Sequence, residues 1–179
     1  MLNKNSTKKM VISAIFIAIG IILPFFTGQI KEIGDSLLPM HFPVMICGLI
    51  LGGGWGLAVG AILPFLRASI AGMPPIYPNA VWMSLELATY GLVVGVLYFK
   101  FFKKQLWWLY SSMLISMISG RVVWGVAKTI LLGLNNKPFT FEAFITGGFI
   151  DALPGIVLQL IIIPIVVTKI HIDNEKKID

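Results

Sequence analysis

Arg121, Trp124 and Lys128 stand in RVVWGVAK, whose flanks WWLYSSMLISMISG and TILLGL have the composition of a membrane helix. A cation placed in hydrocarbon costs about 2.5–3.5 kcal/mol on insertion scales, so two in one helix require a compensating use. Positions seven apart lie two turns apart on one helical face, which puts both cations and the indole on a single stripe. Positive charge beside an aromatic wall suits the capture of an anionic or strongly hydrogen-bonding small molecule.

Other apolar segments carry matching groups. Asn79, Met83, Glu86 and Tyr90 form a second stripe, Asp151 lies in GGFIDALPG, and Arg67 in LPFLRASIAG. At 1.5 Å per residue, Glu86 lies about 10 Å, Asp151 about 14 Å and Lys128 about 8 Å below the outer ends of their helices. Arg121 falls near the middle and Arg67 within two turns of the outside, so the charges predict a polar cavity at the external end. Structural ion pairs, such as Glu86 with Arg121, are the alternative use of these groups. They leave one positive charge over, because three buried cations face two carboxylates and Glu142 sits at a water-accessible helix end. Trp124 and Tyr90 offer flat walls. The loop GMPPIYPN, residues 72–79, has three prolines and one glycine; it reads as a stiff lid or a plain connector, with Tyr77 as its candidate substrate contact.

The elements that must hold these groups follow from composition. The 179 residues are 57% hydrophobic and 12% charged, with mean hydropathy +0.89, against about 25% charged in soluble domains. An all-α integral membrane protein is expected, a single six-helix domain over residues 1–179. Its spans are drawn at approximately 9–28, 40–54, 56–72, 79–99, 107–133 and 142–168, each near the length that crosses a bilayer core. The first is read as a spanning helix and not a cleaved signal, since no A-x-A site follows it. An even number of spans puts Lys4, Lys8, Lys9, Lys100, Lys103, Lys104, Lys169, Lys176 and Lys177 on one side and Lys31 and Lys137 on the other. The positive-inside rule then makes both termini cytoplasmic.

That rule also accounts for the net charge of +6 without nucleic acid. GGGWG, residues 52–56, lacks the Lys-Ser/Thr of a phosphate-binding loop, so the chain shows no ATPase of its own; it forms a tight turn or lets two helices approach closely. No metalloprotease, serine-hydrolase or cysteine–histidine pattern is present, and neither enzyme, metal site nor cofactor is expected. The lone Cys47 reads as a small packing residue. Ala14 and Ala18 in SAIFIAIG give the first helix a smooth face of the kind that packs closely in lipid.

Six short-looped spans, the Ala14-x-x-x-Ala18 pair, HFPVMICGLILGGGWGLAVGAILPFLRASIAGMPPIYPNAVWMSLELATYG at 41–91 and a polar outer pocket together resemble the substrate-binding S component of energy-coupling factor (ECF) vitamin transporters. The resemblance implies a bacterial cell-membrane subunit that captures a vitamin or precursor outside. A transmembrane coupling subunit and two ATPases would supply the energy. It implies that Ala14 and Ala18 contact the coupling subunit, and that Met73 to Pro78 close over substrate. The surplus positive charge favours pantothenate, with pyridoxine and hydroxymethylpyrimidine next. Two other classes stay open: a stand-alone proton-coupled transporter of a small organic anion using Glu86 or Asp151, and a structural or regulatory membrane subunit.

Overall fold

A computed structural model describes residues 4–26, 30–101, 106–134 and 138–175. The helices are α1 (Lys4–Ile22), α2 (Lys31–Leu37), α3 (His41–Leu51), α4 (Gly53–Ala71), α5 (Val81–Phe101), α6 (Leu106–Gly133), α7 (Phe141–Ile145) and α8 (Leu153–Glu175). Single turns at Leu23–Phe25, Ile76–Ala80 and Thr146–Ile150 extend α1, α5 and α7, and no strand occurs among the described residues. Among the described residues, five stretches are long and apolar enough to cross a membrane: Ser6–Phe25, Gly53–Ala71, Ile76–Phe101, Leu106–Gly133 and Phe141–Ile170. The protein is a multi-pass membrane protein.

Several expected boundaries move. The second segment shrinks to α3, whose 11 residues rise roughly 16 Å, about half a bilayer core. The short α2 before it was not foreseen; it ends at Leu38, which takes the left-handed conformation at φ 52°. The Leu38 carbonyl accepts from the His41 N–H at 3.0 Å, fixing where α3 begins. The last segment is not one rod: α7 runs into a wide turn over Thr146–Ile150, and α8 starts afresh at Leu153. Lys103, Lys104, Lys137, Lys176 and Lys177, which enter the orientation count, lie outside the described residues, as do residues 27 and 28 of the first expected span.

Helix α5 is central, packing on α3, α4 and α6. Glycine makes that possible. Gly52, at φ +103°, turns α3 into α4, and a Cβ on Gly91 of α5 would overlap the Gly56 backbone of α4. Gly48, Gly53 and Gly60 likewise face α5 backbone or side chains with no room for a Cβ. Gly56/Gly60 and Gly91/Gly95 each have the four-residue spacing that lets helix backbones touch. Ser84 adds a bond across the seam, donating to the Ala61 carbonyl at 2.7 Å.

Three apolar clusters fill the remainder of the described residues, one of them around Trp82, Trp124 and Ala127. Met45, Leu49, Tyr90, Val94, Tyr98, Leu109, Met113, Met117, Ile163 and Val167 close the end of the bundle near Lys100. Cys47 joins Val44, Val59, Leu63 and Leu87 in the third, covered by Ile12, Phe16, Ile17 and Ile21 of α1. Only 17% of the apolar window of α1 is buried, so most of that helix faces outward, Ala14 and Ala18 included.

Gly91→Ala is expected to destabilise the protein by about 1–3 kcal/mol, the usual range for overpacking, because the new methyl meets backbone that cannot rotate away. Gly54→Ala, with nothing within 4 Å of its Cβ position, is the matched control. Unfolding in detergent checks the pair, and equal stabilities would remove the close-seam account.

Candidate functional site

The seam brings α3, α5 and α6 together around one carboxylate. Glu86 of α5 is 2% exposed. Its Oε1 accepts from Arg121 Nη1 of α6 at 2.9 Å and faces His41 Nε2 of α3 at 3.3 Å. Both partners are as deeply buried as Glu86 itself. Gly120 has room for no side chain because the Tyr90 ring lies on it, which lets α6 approach α5 where the ion pair forms.

Above this floor opens a cavity of about 330 Å³, at the small end of ligand pockets. Its walls take in Arg67 of α4, Asn79, Trp82 and Met83 at the start of α5, Trp124 and Lys128 of α6, and Gly147 and Asp151 from the break before α8. Leu38, Pro39 and His41 contribute from the α2–α3 corner, and Met73, Pro74 and Pro75 from the proline-rich loop. The apolar cluster around Met45, Leu49 and Met117 closes off the opposite end.

The cations are held in different ways. Arg121 donates to Glu86 through Nη1, while Nε and Nη2 have no hydrogen-bond partner among the described residues. Those two atoms form the side-on fork of the guanidinium, the edge that matches a carboxylate with two parallel bonds. Arg67 Nε is likewise buried without a partner among the described residues. The Lys128 ammonium sits 4.5 Å from the Trp124 ring centroid, 4.9 Å from Phe139 and 5.5 Å from Trp82. Such cation–π contacts are worth about 0.5–2 kcal/mol, rising as the cation is withdrawn from water, and Lys128 is half-buried. Trp124 is fixed in turn by Phe139, edge-on at 5.7 Å, and by Phe144, whose ring lies against Gly125.

Of the residues singled out in the sequence, Arg67, Asn79, Glu86, Arg121, Trp124, Lys128 and Asp151 thus meet at one cavity. Two do not. Tyr90 lies beneath the floor in the apolar cluster, edge-on to His41 at 4.8 Å, so it supports the site and forms no wall of it. Tyr77 is 55% exposed and outside the lining, because its extended backbone interrupts the turn at Ile76–Ala80. His41 and Trp82 also line the cavity. Trp82 precedes Glu86 by one helical turn, so spacing alone marked it; His41 depends on the corner at Leu38, which no periodicity reveals.

A family model for the ECF transporter substrate-specific component matches residues 8–170. The chain belongs to this family. No match was found among curated proteins or among solved structures. As an S component it is a transporter subunit and not an enzyme, and the family takes a small-molecule substrate.

Removing one member of a buried pair strands the other charge, at about 3–5 kcal/mol. Glu86→Gln is therefore expected to destabilise the S component by that amount. The double change Glu86→Gln with Arg121→Met should be milder than Glu86→Gln alone. Unfolding of the wild type, Glu86→Gln, Arg121→Met and the double variant in one detergent decides it: strictly additive losses would mean the two groups are not coupled.

Proposed function

We propose that this S component captures a small carboxylate-bearing vitamin or precursor outside a bacterial cell. Delivery inward depends on an ECF coupling subunit and two ATPase subunits. The observation that carries this reading is the side-on fork of Arg121, a residue of the cavity wall, whose Nε and Nη2 are both buried with no hydrogen-bond partner among the described residues. Glu86 takes one edge of the guanidinium and a ligand carboxylate would take the other. Arg67 and Lys128 add positive potential, and Trp124 and Trp82 give flat apolar walls. Pantothenate fits this combination best: it carries a carboxylate, and the cavity is small. Pyridoxine and hydroxymethylpyrimidine use the aromatic walls but leave the fork without an anion.

The topology proposed is six crossings with both termini cytoplasmic, α3 counting as a short span. The rule of positive charge inside supports it, as does the placement of Lys100 and Lys169 at the end of the bundle away from the cavity. The mouth then faces outward, with Met73 to Pro78 beside it as the lid. Ala14 and Ala18 lie on the outward face of α1, where the coupling subunit would dock, since small residues allow close helix approach. A proton relay through Glu86 is disfavoured by the bonds that fix that carboxylate to Arg121 and His41.

Calorimetry of the purified protein with D-pantothenate, pyridoxine and hydroxymethylpyrimidine tests the substrate. Arg121→Ala should weaken pantothenate binding at least tenfold, since a charge-assisted hydrogen bond contributes about 1.5–3 kcal/mol; unchanged affinity would remove Arg121 from the site. Ala14→Trp and Ala18→Trp should bind normally yet fail in uptake by cells holding the whole transporter. Normal uptake by both would remove the docking face.

A further inference from the structure

The ring of His41 is a buried polar group that the ion pair leaves half used. It is 3% exposed, lines the cavity, and is held from behind by the Tyr90 ring at an interplanar angle of 86°. Its Nε2 faces Glu86 Oε1 at 3.3 Å, and its Nδ1 is buried with no partner among the described residues.

The chemistry of Glu86 assigns the proton. A carboxylate that already accepts from Arg121 Nη1 is ionised and offers only lone pairs, so the hydrogen bond at Nε2 must carry its hydrogen on the histidine. The charge of Glu86 is matched by Arg121, and an N–H is all that this contact asks of the ring, which neutral imidazole supplies. With hydrogen on Nε2, Nδ1 is a bare acceptor; which nitrogen holds the proton is set by the partner of the other.

We infer that His41 is a specificity-determining residue whose Nδ1 accepts a hydrogen bond from a hydroxyl or N–H of the ligand. This rests on the substrate-capture reading and narrows it: the ligand carries a carboxylate for the Arg121 fork and a donor for His41. Plain aliphatic acids meet the first requirement only and leave the acceptor buried and unpaired. Sites built to bond a substrate hydroxyl reject analogues lacking it far more strongly than apolar pockets reject a missing methylene.

The chain has two histidines, so in a His171→Gln background ¹⁵N-histidine labelling reports His41 alone. The ligand-free spectrum is expected to show hydrogen on Nε2 and none on Nδ1. Adding whichever of D-pantothenate, pyridoxine and hydroxymethylpyrimidine binds, all of which carry hydroxyls, should move the Nδ1 resonance toward its hydrogen-bonded position. His41→Gln, which keeps an acceptor and an N–H, should hold that probe better than His41→Leu, for which at least a tenfold loss is expected. A proton on Nδ1 in the ligand-free protein overturns the inference whether or not any probe binds. So does an Nδ1 resonance unmoved by a probe that calorimetry shows to be bound. If none of the three binds, the choice of substrate is contradicted, and the ligand-free tautomer still decides the acceptor assignment.

Discussion

One carboxylate organises the cavity end of this protein. Glu86 stands between Arg121 and His41, joining α5 to α6 and to α3 in a region where water does not replace a lost partner. An unmatched arginine or glutamate there would cost about 3–5 kcal/mol. The pair lets each stay charged, and by taking one edge of the guanidinium it aims the rest of Arg121. Of the cations of RVVWGVAK, Arg121 shares a carboxylate and lies over the Trp124 ring, and the Lys128 ammonium lies over the rings of Trp82, Trp124 and Phe139.

The glycine seam is what permits this chemistry. Without side chains at Gly48, Gly56, Gly60 and Gly91, α3 and α4 lie directly on α5, and His41 reaches Glu86 across the shortened α3. Packing of that closeness in lipid is driven by van der Waals contact and not by expulsion of water, so it tolerates no added methyl. The same helices diverge above Glu86 into the polar cavity and meet again below it in a dry apolar cluster. A substrate subunit needs that division: a site accessible at one end and a seal at the other. Helix α1, largely unburied, is left free to face lipid or a partner subunit.

Much of this was legible in the residues. Apolar length placed α4, α5 and α6 within a few residues, and the rarity of charge in such segments singled out Arg67, Glu86, Arg121 and Lys128 before any geometry was known. What stayed hidden depended on departures from helical regularity. The corner at Leu38 requires a leucine at positive φ, which has no sequence signal, and His41 gained its place from that corner. The break at Thr146–Ile150 lies in a run too apolar to look interrupted, though its two adjacent glycines mark it in retrospect. Tyr77 and Tyr90 failed as wall residues for opposite reasons. One is carried outward by an extended backbone, and the other is held down by the glycine beside it, Gly120.

The most direct test is an electron-density or cryo-electron microscopy map of the S component prepared with D-pantothenate. The expected result is a compact non-protein feature between Arg67, Trp124 and the Met73–Pro75 loop, its carboxylate on the Nε–Nη2 edge of Arg121 while Glu86 keeps Nη1. A saturated sample in which these side chains close on one another, leaving no space among them, would contradict the account.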